Sequence, residues 1–154
     1  IHKASPTNRY ALMFATALSP LASRAFAGTY QKVGVETGVS NASPHRLIAM
    51  LFDGFNDAVT ETRSAMKKRD VAAKCVAVTR AVRIVDEGLA GALDRQRGGK
   101  LADDLAALYH YVVVRLTHAH LHNDEAALDE CVRLMEPVKA AWAAIGTHGQ
   151  PQVQ

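Results

Sequence analysis

Apolar residues recur at alternating intervals of three and four along four consecutive segments of this chain, and this spacing constrains the fold more than any other feature. It places the apolar side chains of each segment on one face of an α-helix. The repeating positions are Ile48, Phe52, Phe55, Val59, Thr62 and Met66, then Val71, Cys75, Val78, Val82, Val85 and Leu89, then Leu101, Leu105, Leu108, Val112 and Leu116, and finally Leu128, Cys131, Met135, Val138, Trp142 and Ile145. Each segment is therefore predicted to be an amphipathic helix.

Residues that cap or break helices separate these segments. They are Ser43-Pro44 before the first, Asp70 before the second, Gly98-Gly99 before the third, Asn123 or Asp124 before the fourth, and Gly146 after it. Short connections between long helices force antiparallel neighbours. The sequence thus predicts an all-α fold, an antiparallel up-down-up-down four-helix bundle over residues 43–146, with the second helix reaching about residue 96. Residues 147–154 are predicted to form a flexible tail.

The residues before the bundle have a different character. Glycine and proline interrupt residues 13–42, which we interpret as an N-terminal arm with room for one short helix near residues 21–31. Met13 could start a natural chain, so we expect residues 1–12 to be appended or upstream residues. An alternative interpretation is a secretory signal peptide, with Ala25-Phe26-Ala27 as its cleavage site. Polar residues interrupt its apolar run, and this disfavours the alternative.

Composition excludes several classes of function. The net charge is only +3, and two of the cations, Lys3 and Arg9, lie in the first twelve residues, so a nucleic-acid surface is not indicated. No apolar run approaches the roughly 20 residues that cross a bilayer. The isolated thiols Cys75 and Cys131 are both predicted to be buried on helix faces, in a reduced cytoplasmic protein. No nucleotide-binding or nucleophile motif occurs, so we expect neither an enzyme nor a cofactor.

Three histidines near the end of the third segment are the best candidates for a metal site. His118 and His122 are four residues apart and could share an ion, with Asp124 or Glu125 nearby. Two histidines and one uncertain carboxylate are too few ligands for a structural metal. Histidine also suits the negative end of a helix dipole. We therefore predict a helix end and no metal.

Two helices carry more apolar surface than one bundle face requires. The first adds Leu47, Met50 and Leu51 to its regular face, and the third is apolar on nearly every side around residues 108–114. Such a surplus indicates either a thicker core, a self-association interface or a groove for an amphipathic segment of another protein. Tyr109 and Tyr111 point to different faces, so at most one of them belongs to the core.

The run of residues 43–54, SPHRLIAMLFDG, resembles the opening of the first helix in the flagellar export chaperone family FliS. The similarity continues over about residues 13–146. Further matching positions are Tyr30-Gln31, Asp70, Lys74, Leu93-Asp94, Gly98-Gly99, Leu105, Leu108-Tyr109, Tyr111, Leu116, Ala119, Ala141-Trp142 and Ile145. The resemblance implies a cytoplasmic, non-enzymatic chaperone that binds the disordered C-terminal segment of flagellin, prevents premature polymerisation and delivers the subunit to the export gate protein FlhA.

With this resemblance, we predict that Leu47, Ile48, Leu51 and Tyr109 contact flagellin. Tyr30 is predicted to anchor the arm over the same groove while the groove is empty; an alternative is that it only packs the short helix onto the bundle. The alternative function is a self-associating structural bundle that uses the surplus face as its dimer interface. Neither function calls for nucleic acid or for insertion into a membrane.

Overall fold

The computed structural model of the chain describes residues 42–148, and side chains up to residue 146. Helix α1 spans Pro44–Lys68, and α2 spans Val71–Arg83 and continues as a π-helical segment, Ile84–Ala90. Helix α3 spans Arg95–His122 and α4 spans Glu125–His148, two residues past the predicted end of the bundle. The predicted arm, apart from Ala42, lies outside the described residues.

Each helix packs against the next in the chain, and α4 returns to pack against α1. The connections α1–α2 and α3–α4 are two residues long, so the paired helices run antiparallel. This arrangement confirms the predicted antiparallel four-helix bundle. None of the helices within residues 42–148 combines the length and apolarity that a bilayer span requires.

The two ends of the bundle are built differently. The capped end contains the α1–α2 and α3–α4 connections, residues 65–74 and 119–127. The π end contains the start of α1, the π-helical segment, the start of α3 and the last part of α4, which are residues 43–54, 84–100 and 138–148.

Helix boundaries at the capped end follow from local chemistry. Arg69 and Asn123 adopt left-handed conformations that end α1 and α3. Asp70 then begins α2, where its carboxylate accepts a hydrogen bond from the Ala73 amide, and Asp124 begins α4 by accepting one from Ala127. Asn123 and Asp124 therefore have separate roles: one ends α3 and the other starts α4.

The second helix differs from its prediction in where it ends and in which residues it buries. It stops at Ala90 because Asp94, which accepts hydrogen bonds from the Gln96 and Arg97 amides, already caps α3. Gly99, at φ +52°, is a non-helical interruption inside α3 and does not begin that helix. At the start of α2, the buried face is formed by Lys74, Ala77, Val78 and Ala81. The prediction that Cys75 is buried is wrong, whereas Cys131 is buried as expected.

One continuous apolar cluster fills the bundle. Its fully enclosed members include Leu51, Phe55, Ile84, Val85, Val112, Leu116, Leu128 and Cys131. The surplus apolar residues of α1, including Leu47 and Met50, belong to the same cluster. The described structure therefore places the extra apolar surface of α1 in a thicker core.

Candidate partner-binding site

The predicted flagellin contacts on α1 and α3 are all buried. Leu47, Ile48, Leu51 and Tyr109 expose 4%, 5%, 0% and 4% of their surface, and all four belong to the central cluster. Tyr30 lies outside the described residues. A partner could reach the four buried residues only after a rearrangement, so their role in binding stays a prediction.

Leu51 shows most directly why this rearrangement is needed. It packs against Gly88 in the π-helical segment, where a Cβ atom added to the glycine would lie 3.0 Å from the Leu51 methyl carbons. The absence of a side chain at Gly88 is what lets α2 approach α1 this closely. Leu51 is therefore a packing residue between two helices in the described structure.

The two tyrosines of α3 divide between core and surface, as their spacing indicated. Tyr109 is buried, and burial raises the pKa of its phenol. Tyr111 exposes 44% of its surface and donates a hydrogen bond to Glu130 of α4. That hydrogen bond raises the pKa of Tyr111 and lowers the pKa of Glu130, whose second oxygen accepts from Arg115 at 3.0 Å. Tyr111 thus offers an apolar ring beside a polar network that ties α3 to α4.

Several apolar side chains do lie on the surface of α2 and α3. Val71, Val76 and Leu121 expose 69%, 72% and 68% of their surface, and Val114 exposes 50%. The apolar spacing assigned Val71 to the core face of α2, and this assignment is wrong. The signal that could have corrected this is the pair Ala77 and Ala81: small residues carry little weight in a hydrophobic pattern but allow close helix packing.

A groove runs between α1 and α2, and the exposed Val76 is part of its lining. Its volume is about 510 Å³, and small residues form much of its wall. The full lining is Glu61, Ser64, Ala65, Lys68, Asp70, Ala72, Ala73, Val76 and Ala77. The small alanine side chains allow the backbone of another segment to approach closely. Val76 adds apolar surface, and Glu61, Lys68 and Asp70 add charged groups. We call this feature the α1–α2 groove.

A second cavity, of about 380 Å³, joins the α1–α2 groove to the α3–α4 connection. Ala65 and Asp70 line both cavities, so the two adjoin, and Val71, Lys74 and Asn123 line the second. Lys74 is 8% exposed and donates hydrogen bonds to the His120 carbonyl at 3.1 Å and to Asn123 Oδ1 at 2.8 Å. A buried ammonium group satisfied by the C-terminal end of α3 fixes the shape of this surface.

The histidines of α3 form a helix-end cluster. His118 Nε2 lies 3.3 Å from Asp124 Oδ2, and the rings of His118 and His122 are 4.5 Å apart. Within residues 42–148, no three groups among the histidine, cysteine, aspartate and glutamate side chains are placed to hold a metal ion together. In this geometry the cluster connects the end of α3 to the start of α4.

Comparisons with known proteins agree with the fold and the motifs. The family model described as flagellar protein FliS matches residues 26–149. The chain is 43% identical over 116 residues to the flagellar secretion chaperone FliS of Salmonella typhimurium, a match that covers 75% of this chain and 86% of that protein. It is 40% identical over 116 residues to the flagellar secretion chaperone FliSB of Pseudomonas aeruginosa, covering 75% and 91% of the two chains.

A third relative, the flagellar secretion chaperone FliS of Escherichia coli, is 37% identical over 113 residues, which is 73% of this chain and 83% of that protein. The residues that the family model matches include the described bundle, with both the buried cluster and the α1–α2 groove. The chain therefore belongs to the FliS family of flagellar proteins.

Proposed function

We propose that this protein is a cytoplasmic, non-enzymatic export chaperone that binds the disordered C-terminal segment of flagellin. Binding would keep the subunit from polymerising early and would assist its delivery to the export gate protein FlhA. The names of the relatives, flagellar secretion chaperones, support the general role. The observation that carries the binding step is exposed apolar surface at the α1–α2 groove and the cavity that adjoins it: Val76 lines the groove and Val71 lines the adjoining cavity.

The physical logic depends on what an unfolded segment needs. An amphipathic segment loses conformational entropy when it orders, and it recovers that cost by burying its apolar face. The alanine walls of the α1–α2 groove allow close approach, and Val76 and Val71 provide apolar surface that is exposed to water in the free protein. Because ordering consumes part of the interaction energy, the complex can remain releasable at the export gate.

A binding experiment tests the proposal. The full chain is mixed with flagellin that either contains or lacks its C-terminal segment, and binding is measured by calorimetry. We expect one-to-one binding only when the segment is present. Equal binding by both forms of flagellin would overturn the proposal.

Charge substitutions test the site. In Val76→Lys the new charge stands on the groove and should weaken binding about tenfold, the usual cost of losing one apolar anchor. Ala107→Lys, at an exposed position in the middle of α3 that does not line the groove, adds the same charge and should bind normally. If both variants bind like the unmodified chain, the α1–α2 groove is not the site.

Light scattering separates this function from the alternative of a self-associating bundle. The chaperone proposal expects a monomer that forms a one-to-one complex with the flagellin segment. A dimer that Val76→Lys dissociates, without any change in flagellin binding, would instead support self-association through the same surface.

A further inference from the structure

Helix α4 is continuous and contains Pro137. Proline has no amide hydrogen, so the helical hydrogen bond to the Arg133 carbonyl cannot form, and its ring crowds that carbonyl. Such a position is a common origin of local bending in a helix. We call the part of α4 that follows it, residues 138–148, the α4 flap.

The two parts of α4 are attached to the bundle to different degrees. In the first part, Leu128, Cys131 and Met135 are at most 1% exposed, and the Cys131 thiol lies 3.8 Å from the Val112 carbonyl. In the α4 flap, Trp142 is the one buried residue among the described side chains, and Val138 and Ile145 are only partly buried. Segments with few buried contacts open at lower free energy than the rest of a domain.

A pair of aromatic residues fastens the α4 flap to the start of α1. His45 Nε2 donates a hydrogen bond to the Trp142 carbonyl at 2.8 Å, and Trp142 Nε1 donates one to the His45 carbonyl at 3.0 Å. The two rings stack with centroids 5.1 Å apart and planes 8° from parallel. We call this pair the His45–Trp142 latch.

Two further features complete the attachment. Lys139 Nζ lies 3.3 Å from Asp53 Oδ1, so an ion pair joins the flap to α1 two turns further along. Gly146 lies directly against the His45 ring, where an added Cβ would overlap ring atoms. The latch therefore depends on the absence of a side chain at residue 146.

We propose that the α4 flap opens about Pro137 as one unit and that the His45–Trp142 latch holds it closed against α1. Opening exposes Trp142 and the neighbouring start of α1, where the predicted flagellin contacts Leu47 and Ile48 are buried. The flap is thus the element that makes this part of the core available to a partner. That last step rests on the proposed function, whereas the opening itself does not.

Hydrogen exchange on the full chain, without flagellin, tests the opening. Amides of the α4 flap should exchange faster than those of residues 127–136. Gly146→Ala pushes the His45 ring away from Trp142, so it should raise flap exchange about tenfold and make Trp142 fluorescence easier to quench with acrylamide. Pro137→Ala restores the hydrogen bond to Arg133 and should lower flap exchange about tenfold.

The matched control is Glu136→Ala, an exposed change beside Pro137 that leaves the backbone hydrogen bonds intact and should not alter flap exchange. Exchange in residues 127–136 reports global unfolding in the same sample. The proposal is overturned if Gly146→Ala changes both parts of α4 equally, or if it leaves the flap unchanged.

Flagellin affinity is measured separately on the same variants. If flagellin binds only molecules whose flap is open, the apparent affinity is proportional to the open fraction. Pro137→Ala lowers that fraction, so it should bind several-fold more weakly. If flap exchange responds as expected but this affinity does not change, the flap exists and its role in binding is overturned. If the unmodified chain does not bind flagellin, the proposed function fails and the exchange result still stands.

Discussion

The capped end and the π end of the bundle join the same four helices with different chemistry. At the capped end, left-handed residues and aspartate caps end and begin the helices, and Lys74 ties α2 to α3 with two hydrogen bonds. At the π end, the helices contain a π-helical segment, the non-helical Gly99 and the flap that follows Pro137. Helix starts are capped at both ends, by Ser43 and Asp94 at the π end as well, but these interruptions lie at the π end alone among the described residues.

This difference indicates where the molecule can change shape. Satisfied helix ends and a paired, buried ammonium group resist opening, because opening gives up intramolecular hydrogen bonds that each make a net contribution to stability. Interrupted helices have already lost some of these bonds, so opening them costs less. We therefore expect the capped end to hold the fold together and the π end to supply its motions.

The largest expected effect comes from placing a charge in the π end. Leu51→Lys buries an ammonium group against Gly88 with no partner, and should cost about 3–5 kcal/mol of the free energy of unfolding. Urea denaturation followed by circular dichroism measures it. Val76→Lys, at a position 72% exposed, is the matched control and should change stability by less than about 0.5 kcal/mol. A stable Leu51→Lys variant would mean that the π end is not a packed core.

Thiol labelling compares a surface position with an enclosed one. Cys75 is exposed and should react quickly, whereas Cys131 is enclosed between α3 and α4. Burial raises the pKa of Cys131 to about 12, so little of the reactive thiolate exists at neutral pH. We expect labelling rates that differ by about a thousandfold or more. Mass spectrometry of the native protein over time gives both rates, and comparable rates would contradict the packing of α4 on α3.

Removal of one helix cap at each end tests whether the loss of stability stays at that end or spreads to the whole bundle. Asp70→Ala removes the cap of α2 at the capped end and should lower the global free energy of unfolding by about 1 kcal/mol. Ser43→Ala removes the cap of α1, where the Arg46 amide donates to the serine hydroxyl at 3.1 Å. Hydrogen exchange should show the Ser43→Ala effect mainly in the π end. An equal loss of protection at both ends would remove the distinction between them.

The smallest expected effect is a change in acid sensitivity at the capped end. The Ala127 amide, followed by His118, holds the pKa of Asp124 below its usual value. A carboxyl group with a lowered folded pKa stabilises the fold above its unfolded pKa, near 4, and loses that contribution as pH falls through the folded value. Asp124→Asn keeps a capping side chain without the charge. Its stability should fall less steeply than that of the unmodified chain below about pH 4 in acid denaturation, and identical curves would count against the interaction.

The sequence was a good guide to the helices and a weaker one to their contacts. Spacing and capping residues predicted four helices, their order and three of the four starting points, because these signals act between residues a few positions apart. The predicted start of α3 after Gly98-Gly99 is wrong, because Asp94 caps the helix and the two glycines lie inside it. On α2, Val71 and Cys75 fitted the apolar period, yet Lys74 and two alanines face the core.

What lies inside the bundle depended on neighbours that are distant in the chain. Lys74 can be buried because the end of α3 supplies two acceptors for its ammonium group, and Leu51 is enclosed because Gly88 has no side chain. His45 and Trp142 are 97 residues apart, and no local pattern pairs them. Helix formation follows from interactions within a turn or two, so residue order was sufficient for it. Burial, exposure and pairing follow from which helix faces meet, and those faces are set only when the whole bundle packs.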